Sequence, residues 1–174
     1  MNTFNFSTFP NLKTERLKIR QANFEDIKAV FDLRSSEEIN KFVATKRVQN
    51  FDEAKDFIIT CSEQYQKKKR VFWLIEFENK VIGSIVLHNV CLDNKYGEIG
   101  YKLKIAFQQK GLMTEAMQEV LKFGFKKMDL KTIEAFTHKN NMPSIALLEK
   151  HNFVFQSERR DRGFDDNRVW RIII

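Results

Sequence analysis

Cysteine, proline and glycine are all scarce in this chain of 174 residues, which holds 2 Cys, 2 Pro and 6 Gly. Two thiols, Cys61 and Cys91, cannot build a disulfide framework and show no metal-ligand pairing, which points to free thiols in a reducing cytoplasm. So little Pro and Gly excludes a Pro-rich or Gly/Ser-rich linker, and no self-similar period runs along the chain, which excludes a repeat array. Long apolar runs are also missing. None approaches the roughly 20 residues that cross a bilayer, and Met1 to Pro10 lacks the basic-then-apolar pattern of a secretory signal, so no membrane partner is expected. The three histidines, His88, His138 and His151, are too scattered to make a metal site.

What is present is charge and apolar bulk together. Lys and Arg total 30 against 23 Asp and Glu, a net charge of +7, and 43% of the residues are hydrophobic, with 17 Phe among them. A disordered tail would lack the apolar surface that offsets chain entropy. The length suits one core, so a single domain over residues 12–174 is expected behind a loose arm over residues 1–11. The positive charge leaves the partner open among nucleic acid, an anionic membrane, a phosphorylated cofactor and an acidic protein.

Residues 16–22 alternate charged and apolar positions, the period of a strand. Asn23 then caps a helix to about Ser35, and Asp52 caps a second whose stripe holds Ala54, Phe57, Ile58, Cys61 and Tyr65. That helix closes in Lys67, Lys68, Lys69 and Arg70, read as solvated cations complementing the helix dipole. Residues 71–77 and 81–90 form a hairpin, and residues 96–103 form another strand in which Gly97 and Gly100 suggest a bulge or close approach. A long amphipathic helix carries Met113, Ala116, Met117, Val120, Leu121, Gly124 and Met128. Residues 132–136 make a short strand, 141–150 a capped helix, 153–157 a strand and 169–174 a last one.

Residues 108–116 join a strand to the long helix, with Gly111 just before the helix start and Lys110 beside it. First-turn amides point out of a helix, its dipole favours anions there, and a glycine lets the backbone come close, so this geometry suits phosphate. An ordinary strand-to-helix turn reads the same way on this motif alone.

With its neighbours, this segment resembles the GCN5-related N-acetyltransferases (GNAT), and within them the RimJ/RimL type that acetylates ribosomal-protein N-termini. Gln108, Gly111 and Met113 occupy the marked positions of the family's acyl-CoA loop Gln/Arg-x-x-Gly-x-Gly/Ala, followed by Thr114-Glu115-Ala116. Upstream, Glu98-Ile99-Gly100-Tyr101 is similar to the family's fourth strand. Downstream, residues 141–153 resemble its Asn-x-x-Ser…Leu-Glu-Lys-x-Gly-Phe stretch. The chain departs from the pattern at Gln109 and Asn152, where glycine is frequent, and at Met113, where Gly or Ala is usual. The resemblance implies a mixed α/β sheet of the acyl-CoA N-acyltransferase fold, with about seven mostly antiparallel strands, parallel strands 4 and 5 splayed apart, and four helices.

It also implies chemistry: direct attack of an amine on the thioester of acetyl-CoA, with no metal. The backbone of Tyr101, Lys102 and Leu103 would lie beside the thioester. Gln108, Gln109, Lys110, Gly111, Leu112, Met113 and Thr114 would hold the pyrophosphate, and Asn141 the pantetheine arm. Glu98 is the expected proton acceptor, with His138 in reserve, and Ser144 resembles the serine that returns a proton to the thiolate. Many members place a tyrosine on that helix instead, and this chain has none there. His88 and His151 read as ordinary surface or strand-end residues. The resemblance to the branch points to a protein or peptide N-terminal amine as acceptor. The rivals are a small amine (polyamine, amino acid or aminoglycoside), for which an acidic pocket is expected, and an RNA- or ribosome-docking module, disfavoured because no basic-aromatic stripe is visible. Acceptor choice is expected from residues 36–50, 89–95 and 159–167. The expected state is a cytoplasmic monomer or homodimer.

Overall fold

The run Val71–Phe77 shows no polar alternation because both of its faces are covered. Val71, Trp73 and Ile75 enter one apolar cluster, Phe72 and Leu74 a second on the opposite face. This strand, β3, is near the middle of an eight-stranded sheet in the computed structural model, which describes residues 5–174. In chain order the elements are β1 (Leu12–Lys13), β2 (Leu17–Gln21), α1 (Ile27–Ser35), α2 (Phe51–Gln66), β3, β4 (Lys80–Cys91) and β5 (Tyr96–Leu103), followed by α3 (Leu112–Lys126), β6 (Thr132–His138), α4 (Met142–Lys150), β7 (Val154–Phe155) and β8 (Asn167–Ile173). The sheet order is β1-β2-β3-β4-β5-β6-β8-β7, antiparallel except where β5 meets β6.

Helices α1 and α2 cover one face through Val30, Leu33, Ala54 and Ile58. On the other face, α3 buries Met113, Met117, Val120 and Phe123, and α4 adds Leu148. The β3–β4 turn is formed by Glu78 and Asn79, both with positive φ (49° and 60°), which matches the right-handed twist of the flanking strands.

Several sequence expectations are refined. Eight strands stand where about seven were expected, because the two-residue β1 adds an edge. The cap of α2 is Asn50, whose side chain accepts from the Glu53 amide, and Asp52 lies inside the first turn. The bulge is in β4, where the register with β5 shifts between His88 and Cys91 and Asn89 has φ 47°. Gly97 and Gly100 serve close approach instead, since a Cβ at either would stand 3.2–3.3 Å from Leu130 or Val86. The strand expected over 153–157 shortens to β7. Of the expected loose arm, residues 1–4 lie outside the described residues, whereas Phe6 is buried, Tyr65 Oη donates to the Thr8 carbonyl (2.6 Å) and Trp73 Nε1 to that of Pro10 (2.6 Å).

The start of α3 is tied to the β1–β2 turn. The Glu115 carboxylate accepts from the Thr14 hydroxyl, the Arg16 amide (2.9 Å) and Arg16 Nε (2.7 Å), and Arg16 Nη1 donates to the Lys110 carbonyl (3.2 Å).

Candidate active site

The parallel pairing of β5 with β6 covers only Tyr96↔Thr132, Gly97↔Ile133 and Glu98↔Glu134, after which the two strands diverge. The polar groups of β5 that face this opening follow from register. Lys104 N donates to Ile82 O (2.8 Å) across the β4 side, so the alternation of an antiparallel ladder turns the amides and carbonyls of Ile99, Tyr101 and Leu103 away from β4; Ile99 lies at the end of the β5–β6 pairing, and Tyr101 and Leu103 face the opening. Gln108 Nε2 confirms the direction by donating to the Leu103 carbonyl from that side (3.1 Å). A strand edge thus lies open in the middle of a sheet, with main-chain donors and acceptors aimed into a gap.

On the α3/α4 side the gap widens into a cleft of about 530 Å³ that touches Tyr101, Lys102, Leu103, Gln108, Gln109, Gly111, Leu112, Met113, Thr114, Asn141 and Ser144. Apart from Glu98, its reserve His138, and Lys110, these are the catalytic and cofactor-binding residues singled out in the sequence. Gly111 caps α3 with φ 74°, and Gln109 also adopts the left-handed region at φ 60°, which accounts for glycine being frequent there. Lys110 Nζ lies 5.6 Å from the Phe107 ring centroid. Met113 is mostly turned into the core, at 8% exposure, so its bulk leaves the loop open. Asn141 caps α4 by accepting from the Ser144 amide (3.3 Å).

Ser144 has a partner that the sequence did not predict. Its Oγ lies 2.6 Å from the Tyr101 hydroxyl. The helix has no tyrosine, but a strand tyrosine reaches it. Burial, partly offset by the Ser144 hydrogen bond, pushes the Tyr101 phenol up to about 12.

The α1/α2 side of the same opening holds a second cleft, about 270 Å³, which shares Phe42, Tyr101, Lys102, Asn141 and Ser144 with the first. Its charged lining comes from three elements: Arg34 at the end of α1, Arg70 just before β3, and Lys102 on β5. Among the described residues, no carboxylate lines it. Arg70 therefore leaves the solvated run of cations expected at the end of α2. His88, expected at the surface, also lines this cleft. Burial first, then Arg70, pushes its imidazole down to about 4, so His88 is neutral at physiological pH.

Glu98 sits where the β5–β6 pairing ends, opposite His88 on β4, with Oε2 3.8 Å from His88 Nδ1. It accepts from Asn89 Nδ2 (3.0 Å) and the Tyr96 hydroxyl (3.0 Å) and lines neither cleft itself. Burial raises its pKa, against the hydrogen bonds from Asn89 and Tyr96 and with Glu134 and Asp161 raising it further. Glu134, fully buried, accepts from Tyr96 Oη (2.9 Å), Arg159 Nη2 (2.7 Å) and Arg171 Nε (2.8 Å). This network fastens the point at which the strands part.

Of the segments expected to choose the acceptor, only residues 36–50 border the clefts, through Phe42, Val43 and Thr45 on the α1/α2 side. The 89–95 and 159–167 segments instead supply Asn89 and Arg159 to the carboxylate network. His138, the reserve base, lines neither cleft; its ring stacks on Phe42 (5.1 Å) and its Nδ1 accepts from the Asn140 amide. His151 lies between α3 and α4, its ring nitrogens 2.9 and 3.1 Å from the carbonyls of Leu147 and Thr114. Arg34, Arg70 and His88 were not legible as site residues, because no local motif carries them and only the packing of α1 on the sheet, with the β3–β4–β5 register, brings them together.

Comparison with known proteins agrees with this geometry. Residues 16–154 match the model of the acetyltransferase (GNAT) domain. An uncharacterised N-acetyltransferase of Bacillus subtilis, YoaA, is 30% identical over 172 residues, covering 95% of this chain and 97% of that protein. A solved GNAT-family acetyltransferase from Bacillus anthracis superposes with a TM-score of 0.77 at 27% identity, over 94% of this chain and 98% of its own. RimL, a ribosomal alpha-N-protein acetyltransferase solved with coenzyme A, superposes at 0.84 over 95% of this chain and 98% of its own, with 18% identity, a likeness of fold.

Proposed function

The chain belongs to the GNAT acetyltransferase family, whose members use acetyl-CoA, and from that premise we propose that it acetylates the α-amine of a protein or peptide N-terminus. The observation that carries the choice of acceptor is the cleft beside Tyr101, lined by Arg34, Arg70 and Lys102 with no carboxylate. Neighbouring cations disfavour an ammonium group. An α-amine, with an ordinary pKa of about 7.7–8.0, loses its proton readily there, whereas a lysine side chain near 10.4 would cost about 3 kcal/mol more to deprotonate. A polyamine or aminoglycoside would bring further cations to the same wall. The resemblance to ribosomal alpha-N-protein acetyltransferases supports the same acceptor class.

Acetyl-CoA supplies the acetyl group as a reactive thioester, and the residues of one domain over 12–174 do the rest. The outward backbone of Tyr101 is free to pair with an extended pantetheine arm, with Asn141 at the far wall. The first-turn amides of α3, Gly111 and Lys110 form an anion cradle suited to the pyrophosphate. The Tyr101 amide is placed to donate to the thioester oxygen as negative charge builds on it. Glu98 takes the amine proton through water or across neutral His88, since it does not reach the cleft directly. The hydroxyl pair of Tyr101 and Ser144 returns a proton to the departing sulfur.

A thiol-release assay with peptides tests the reading. Peptides with a free α-amine should release CoA, and the same peptides blocked at the α-amine but carrying a free lysine should not. Release from the blocked peptides, or from small polyamines alone, would overturn it.

A further inference from the structure

The cations of the acceptor cleft lack what buried cations usually have. Arg34, Arg70 and Lys102 make no ion pair among the described residues. The Arg34 guanidinium stacks 3.7 Å above the Phe57 ring, and its Nε is buried with no hydrogen-bond partner. Arg70 Nη1 donates to Cys61 Sγ at 3.9 Å. Lys102 Nζ donates to the side chain of Asn40, which in turn is held by the Leu33 and Ser36 carbonyls. Glu98, the carboxylate opposite His88, is engaged by Asn89 and Tyr96 and borders neither cleft. Buried polar groups are normally satisfied, and converging like charges without a counter-ion destabilise a fold.

The strain appears in the titration of Lys102 and Arg34. Burial, then Arg34, pushes Lys102 down to about 8, and burial together with Arg70 lowers Arg34. Elsewhere the chain pairs its semi-buried cations readily, as Arg20 with Asp26 and Glu76. Arg34, Arg70 and Lys102 share the wall of one cleft, which Tyr101 also lines.

We propose that the acceptor carries a compact anionic group, a carboxylate or a phosphate, within one or two residues of its amine, and that Arg34, Arg70 and Lys102 bind it. This deepens the α-amine reading and rests on it for the position of the amine. The planar Arg34 guanidinium, stacked on Phe57 at the cleft wall, suits contact through its terminal nitrogens with a planar carboxylate or a phosphate face. Lys102, beside Tyr101 on β5, stands between that anion and the reacting centre.

The test uses paired peptides that differ only at the second residue, Asp against Asn, with a phosphoserine peptide as a third arm. The Asp or phosphoserine peptide should exceed the Asn peptide in kcat/KM by roughly tenfold or more, the size of one charge-assisted hydrogen bond. Which of the two is stronger identifies the source of the anion. Arg34→Gln should collapse that ratio toward one while leaving the acetyl-CoA KM in place. If Arg34→Gln does not fold, Arg70→Gln carries the same test. Equal rates for Asp and Asn peptides would overturn this proposal and leave the α-amine reading standing. Acetylation of aspartate or O-phosphoserine as free amino acids, with no peptide acetylated, would do the reverse. If no acceptor reacts, thermal shift at saturating CoA decides. Inorganic phosphate should stabilise the wild type and not Arg34→Gln, and equal response of the two would overturn the proposal.

Discussion

Replacing Tyr101 by Phe removes one oxygen atom and leaves the strand, the ring and the free amide of residue 101 in place. That oxygen lies 2.6 Å from Ser144 Oγ at the junction of the two clefts. With its phenol held near 12, Tyr101 is protonated through the working pH range and always able to donate. General acid catalysis contributes about 10²–10⁴-fold, and because Ser144 remains as a weaker donor, the expected fall in kcat is roughly 10²-fold, at the lower end. Losing a single hydrogen bond should cost about 1 kcal/mol of stability, which corresponds to about 2–4 °C in Tm for a chain of this size. The assay is steady-state thiol release with acetyl-CoA, repeated with a thioester whose leaving thiol is more acidic and needs less protonation. Tyr101→Phe should recover most of its lost rate on the second substrate. Tyr101→Phe combined with Ser144→Ala should fall by much less than the product of the single effects, because the two hydroxyls act as one relay. An unchanged kcat with a raised acetyl-CoA KM would show that the hydroxyl only lines the cleft and would refute the reasoning.

Glu98→Gln should lower kcat with little change in acetyl-CoA KM. Because burial raises the pKa of Glu98 above the ordinary 4.5, the wild-type rate should climb with pH above that value as the carboxylate forms, and the variant should lose this limb; an identical pH profile would remove Glu98 from the mechanism. Lys110→Glu should weaken CoA binding by roughly tenfold or more, measured by calorimetry, since it sets a like charge against the pyrophosphate. Glu134→Gln should cost about 2–3 kcal/mol in a urea melt, less than the ~3–5 for a fully buried pair because Arg159 and Arg171 keep side-chain exposures of 48% and 28%. Burial raises the Glu134 pKa, but Arg159, Arg171 and Tyr96 together bring it below 4.5, so its stabilisation is complete above that pH and is lost as the pH falls through the lower folded value; the variant should show a shallower acid decline of Tm.

Much of the frame was legible because period and caps are local. β3 and β5 coincide with the expected strands, and α3 begins beside its glycine. Asn152 takes the left-handed conformation (φ 63°) expected of a residue standing where glycine is frequent. Of the loop residues 108–114, all but Lys110 border the larger cleft. What escaped depended on register or on side-chain direction across elements. That Glu98 faces His88 follows from the β4–β5 pairing, and a bulge at Asn89 ends that register in a way no periodicity announces. The reach of Tyr101 to Ser144, 43 residues along the chain, is likewise invisible to spacing. Arg34 and Arg70 look like helix-end cations in sequence, and only the fold turns them inward to the same cleft.

The central claim is that transfer occurs at the divergence of β5 and β6, with the Tyr101 amide facing the reacting carbonyl. A crystal structure with a non-reactive acetyl-CoA analogue tests it most directly. The analogue's carbonyl oxygen should lie within hydrogen-bonding distance of the Tyr101 amide, and its pyrophosphate over Gly111. An analogue bound outside this opening, or a Tyr101 amide paired with protein in the complex, would contradict it.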